Sequence, residues 1–165
     1  MASFDKVIPP GGKGKIHIRI KTTRYQGAVR KSIRVFTNDP AFGRITLTLQ
    51  AHVNVPIMLS PKYVSLRGEA DQPVSKVAIV RAELEKPLKI TPVEFDLKGK
   101  VTYSIEEVEK NRKFKIRFTS VPGSPQTYQG FLRLKTNYVE QPQISIKVRG
   151  RFFNPTDSNK GSEKP

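Results

Sequence analysis

The sequence predicts an all-β protein, an antiparallel two-sheet sandwich, and three observations carry that reading. Apolar and polar residues alternate with period two along most of the chain, the pattern of strands with one buried and one solvated face. The 13 prolines and 11 glycines fall mainly between those runs and leave helices little room. A block of strands from the middle of the chain also recurs near its end, which marks a repeated supersecondary unit.

The elements follow in order. Ile16, Ile18 and Ile20 alternate with Lys15, His17, Arg19 and Lys21, giving a strand with one apolar and one cationic face. Ile33, Val35 and Thr37 alternate with Ser32, Arg34 and Phe36. Ile45, Leu47, Leu49, Ala51 and Val53 are opposed by Thr46, Thr48, Gln50 and His52. Three strands are therefore expected before Pro56, joined by turns at Gly27 and at Asn38-Asp39-Pro40. Beyond Pro56 seven strands are expected, over 63–66, 74–81, 88–96, 101–108, 113–119, 130–136 and 142–152. The stretch 105–112 has helix-forming composition, but its setting favours a hairpin. Seven short alternating strands at this spacing suit an immunoglobulin-like sandwich.

The repeat sets the domain boundaries. Thr37-Asn38 recurs as Thr136-Asn137, and Tyr25-Gln26-Gly27 as Tyr128-Gln129-Gly130. Ile45, Leu47 and Leu49 fall on Ile144, Ile146 and Val148 without a gap. The expectation is a partial immunoglobulin-like module of three strands over 1–55, a complete seven-stranded module over 56–153, and a disordered tail over 154–165. The tail carries no apolar side chain larger than proline, so nothing offsets the entropy of ordering it. Four strands precede the repeated block in the second module and only 1–14 precede it in the first, which reads as an N-terminally truncated copy. Its uncovered sheet invites a partner, a second copy of the chain or the missing strands.

Lys and Arg number 30 against 14 Asp and Glu, a net charge of +16, so the chain attracts anions at long range. With no Cys, disulfides, thiolate metal sites and cysteine nucleophiles are excluded within it. No apolar run reaches the length of a membrane span, and the first residues lack the regions of a signal peptide.

Pro10-Gly11-Gly12-Lys13-Gly14-Lys15-Ile16, Lys31-Ser32-Ile33, Val35-Phe36-Thr37-Asn38-Asp39-Pro40 and the run to Ala51-His52-Val53 resemble a bacterial domain-of-unknown-function family of immunoglobulin-like sandwiches related to the ASH and major sperm protein domains. Residues 8–153 carry the resemblance, the second module as a more diverged copy. It implies a non-catalytic role in the bacterial cell envelope, periplasmic or secreted.

Among candidate sites, the Thr-Asn pairs read as turns, the Asn bonding its own backbone. Tyr25 and Tyr128 read as loop ties resembling a tyrosine corner, each ahead of a Gly turn. The strongest binding candidate is the basic ladder Lys13, Lys15, His17, Arg19 and Lys21, with Arg34 on the adjacent strand. Period two places the five on one side of a strand, where they either engage an anionic or protein partner or simply guard an edge. Lys113, Lys115 and Arg117 with Lys147, Arg149 and Arg151 form a second basic cluster. Nucleic acid is the weakest anionic candidate, because the ladder interleaves isoleucines and not aromatics. Pro10-Gly11-Gly12-Lys13-Gly14 lacks the spacing and hydroxyl of a phosphate loop. His17 and His52, the only imidazoles, lack metal-ligand spacing and acidic neighbours. No cofactor, metal or catalytic residue is expected. The expected function is a structural or protein-interaction module, or alternatively a binder of anionic polymer or membrane surface through its basic strand faces, with homo-oligomerisation through the uncovered first-module sheet as a further possibility.

Overall fold

The computed structural model describes residues 2–9, 11–23 and 25–154. Pro10 of the glycine-rich segment and all of the expected tail after Asn154 lie outside the described residues. The protein is all-β, with several antiparallel sheets, and no helix forms among the described residues. The chain divides into two compact units, Met1–Val55 and Pro56–Pro165.

The first unit holds β1 (Ala2–Phe4), β2 (Ile16–Ile18), β3 (Gly27–Phe36) and β4 (Arg44–Val53). Three strands of one sheet are expected there, and the structure differs. β2 pairs antiparallel with β1, and β3 with β4, as two separate two-stranded ladders. The partner of β2 is three residues long, so its ladder is too, and Asp5 ends it by accepting the Lys15 amide at 2.8 Å. The β3-β4 ribbon spans ten residue pairs. Val29, Ile33 and Val35 lie opposite Ala51, Leu47 and Ile45 on one face, while Arg30, Arg34 and Phe36 lie opposite Gln50, Thr46 and Arg44 on the other. Phe36 is 72% exposed, and even on the apolar face Ile45 and Leu47 remain exposed.

The second unit holds β5 (Ile57–Ser60), β6 (Tyr63–Glu69), β7 (Ser75–Ala82), β8 (Ile90–Phe95), β9 (Val101–Glu109), β10 (Lys113–Ser120), β11 (Thr127–Thr136) and β12 (Gln143–Phe153). Seven of these match the expected runs. β5 was not expected, because Ile57-Met58-Leu59-Ser60 is short and does not alternate. Two four-stranded sheets result, β5-β7-β10-β9 and β6-β12-β11-β8. The second contains a parallel pair, since β6 runs alongside β12 from Tyr63 opposite Lys147 to Glu69 opposite Phe153. Every other ladder among the described residues is antiparallel.

Alternation sends the inner residues of both sheets into one core. Ala78, Val80, Ile116 and Phe118 from one sheet meet Val64, Leu66, Leu132, Leu134, Ile146 and Val148 from the other, all essentially inaccessible to solvent. Phe95 and Tyr103 pack edge to face with centroids 5.0 Å apart, a favoured geometry for aromatic rings. The stretch 105–112 forms the hairpin between β9 and β10. Asn111 takes a left-handed φ of 56° at its tip, a conformation Asn tolerates better than most residues.

The two long ribbons close alike. Thr37 donates its hydroxyl to the Phe42 carbonyl and accepts from the Asp39 amide, and its own amide donates to Gly43. Thr136 does the same with Gln141, Tyr138 and Pro142 at a constant offset. The ladders keep that offset, with Ile33 opposite Leu47 matching Leu132 opposite Ile146. The Tyr-Gln-Gly repeat does not survive it. Gly27 opens β3 at a φ of 68°. Gly130 sits inside β11, where a Cβ would come within 2.7 Å of Leu97. Tyr25 precedes its ribbon, whereas Tyr128 lies within one, opposite Gly150.

Candidate functional site

The expected ladder is not a continuous surface. His17 alone of Lys13, Lys15, His17, Arg19 and Lys21 lies in a strand, opposite Ser3, and the other four flank it. All five are exposed. Arg34 stands on the polar face of β3 opposite Thr46, in a different ladder from His17. The structure therefore brings Arg34 together with Arg30, and not with the residues around β2.

The second basic cluster is divided between the two sheets of the second unit. Lys113, Lys115 and Arg117 project from β10 on the outer face of β5-β7-β10-β9. That face answers most of its charge: Lys113 pairs with Glu109 at 3.0 Å, Lys115 with Glu106 at 3.3 Å, and Arg81 with Glu83 at 2.8 Å, while Arg117 forms no ion pair among the described residues.

Lys147, Arg149 and Arg151 project from β12 on the outer face of the other sheet, where the balance differs. Ile146, Val148 and Gly150 point inward, so the three cations line up about 6.6–6.8 Å apart along the strand. The neighbouring strands extend the row. Arg151 stands opposite Arg67 of β6, and Lys147 stands between Tyr63 of β6 and Phe131 of β11. Arg133 and Lys135 continue the face along β11. Tyr63 is 62% exposed.

Acids answer only one of these cations. The Arg133 guanidinium lies 2.7 Å from Asp96 and 2.8 Å from Glu94. Its pKa is raised, chiefly by the hydrogen bond to Asp96, and it stacks near Phe131 with 5.5 Å to the ring centroid. Arg67, Lys135, Lys147, Arg149 and Arg151 form no ion pair among the described residues. The result is a row of cations along β12 and its neighbours, with aromatic side chains beside its centre. Arg67, Arg133, Lys135, Tyr63 and Phe131 are absent from the residues singled out by sequence. The runs Ser65-Leu66-Arg67 and Phe131-Leu132-Arg133-Leu134-Lys135 carry the same alternation that reveals Lys147, Arg149 and Arg151.

The two tyrosine and asparagine readings also resolve. Tyr128 is buried, with its ring over Gly150 and its hydroxyl donating to the Lys100 carbonyl at 3.5 Å. Burial raises its pKa. It does tie a loop to a strand, though no Gly turn follows it. Asn137 does not bond its own backbone. It clasps the segment before β8, accepting from the Lys89 amide at 2.8 Å and donating to the Pro87 carbonyl at 3.0 Å.

Against known proteins, the chain matches no family model and no curated protein.

Proposed function

We propose that this chain is a non-catalytic interaction module whose cationic face, on the outside of β6-β12-β11-β8, holds an anionic polymer. The observation that carries the reading is an asymmetry. One outer face of the second unit neutralises its lysines with glutamates, and the other leaves Arg67, Lys135, Lys147, Arg149 and Arg151 unanswered. A straight row of charge at the pitch of alternate strand residues fits a linear polyanion, and unanswered exposed cations are the ones whose field reaches a partner.

The ribbons that close alike support a further element of the reading, that the two units are related immunoglobulin-like modules. The resemblance in sequence is the ground for setting the module in the bacterial cell envelope, periplasmic or secreted. Docking of a protein partner is a second role, favoured by the exposed apolar face of the β3-β4 ribbon.

Two charge-reversed variants test the first role on a heparin column. Lys147→Glu, Arg149→Glu and Arg151→Glu together remove retention. Lys113→Glu, Lys115→Glu and Arg117→Glu change the net charge equally and leave most of it. Equal loss in both variants would mean that only net charge matters, and the proposed face would be wrong.

A further inference from the structure

We infer that the outer edge of β4 is an acceptor for one extended segment of a partner protein, apolar at alternate positions and acidic between them, which adds to β4 in parallel. This edge belongs to the first unit and the cationic face to the second; the inference rests on the protein-docking role proposed for the β3-β4 ribbon and names its partner's chemistry.

The template lies in the same chain. The β3-β4 and β11-β12 ribbons share their turn bonds and their register. On β12 the outer edge is occupied: β6 runs parallel to it through seven consecutive pairs, and Val64 and Leu66 are fully buried beneath. On β4 the equivalent edge has no strand beside it among the described residues. Transferring the register sets the incoming segment along 48–54, of which 48–53 lie in β4, its two inward side chains beside Leu49 and Ala51.

The edge itself is open to pairing. Natural sheet edges are guarded with charge, proline or bulges. From Ile45 to Val53 there is no Lys, Arg, Asp, Glu or Pro, and the ladder to β3 is unbroken. The opposite edge is guarded, since β3 carries Arg30, Lys31 and Arg34, and Lys31 interrupts its apolar row. Addition of a strand to such an edge gains main-chain hydrogen bonds, while alternate side chains supply specificity.

Charge selects the partner. Asp5 and Asp39 are the only acids in 1–55, against ten Lys and Arg. An acidic segment is attracted, and a second copy of this unit is repelled. Geometry points the same way, because a two-fold pairing of β4 with itself is antiparallel, unlike the template.

The probe is a synthetic peptide copying 63–69, with Val and Leu kept at the positions of Val64 and Leu66 and glutamate at those of Tyr63, Ser65 and Arg67. The control has the same composition with Val and Leu adjacent. With the full chain, saturating probe slows amide exchange along 48–53 by at least about tenfold, measured by NMR, and brings its Val and Leu protons within reach of Leu49 and Ala51. The control does neither. The inference is overturned if the control protects β4 equally, if protection falls on β3, or if β4 is already protected in a dimer without peptide. The Lys147→Glu, Arg149→Glu, Arg151→Glu variant separates the two surfaces. It retains peptide protection of β4, and loss of that protection would assign the peptide to the cationic face instead.

Discussion

At Thr136 one buried hydroxyl makes two bonds at the base of a turn, donating to Gln141 and accepting from the amide of buried Tyr138. Thr136→Val preserves the shape and strands both partners, which costs about 1–3 kcal/mol for buried groups left unpaired. Thr37→Val removes the same pair of bonds where water can replace them, and costs less than about 1 kcal/mol. Urea unfolding of the two variants measures the difference, and equal costs would show that burial does not decide it. Sequence reading finds both positions through the Thr-Asn repeat but gives the turn to the Asn. Either side chain can bond a nearby backbone. Which one does so depends on what else is within reach, and Asn137 reaches a segment some fifty positions away in sequence that no local pattern reveals.

Among the elements, Gly150 shows how closely a strand can be fitted to its neighbour. A Cβ there would lie 2.2 Å from the Tyr128 ring, and that ring is also packed on Phe152 at 6.0 Å. Gly150→Ala therefore destabilises the second unit by about 1–3 kcal/mol, as overpacked cores do. Combining it with Tyr128→Ala costs less than the sum of the two changes, because the clash goes with the ring. A double-mutant cycle by thermal unfolding checks this, and additivity would refute the contact. Strands with clean alternation, such as β10 and β12, are legible because period two is a local signal. β5 and β1 are short and lack it, and their existence depends on partners far along the chain, β7 for the one and β2 for the other. The same dependence explains the failed ladder: Ile16, Ile18 and Ile20 alternate well, but among the described residues nothing pairs beside the last of them.

For the whole molecule, a net charge of +16 is plain from composition, and its arrangement is not. Lys115 and Lys147 look alike in sequence, each alternating with apolar neighbours. Strand order then places one beside Glu106 and the other between Tyr63 and Phe131. Because the second environment lacks an acid, binding there displaces counterions and weakens steeply with salt. Retention of the unaltered chain on the anionic column accordingly falls as salt rises, with a steeper slope than for the variant reversed at Lys147, Arg149 and Arg151. A slope common to both proteins would remove the stripe from the account.

The parallel β6-β12 ladder carries a consequence for synthesis. Residues 63–69 leave the ribosome well before 143–153 exist, and at roughly 5–20 residues per second the wait is on the order of 5–15 s. During that interval Val64 and Leu66 have no strand beside them to complete their sheet. A nascent chain stopped between these points carries a ready-made sticky strand, open to chaperones and to wrong pairings alike.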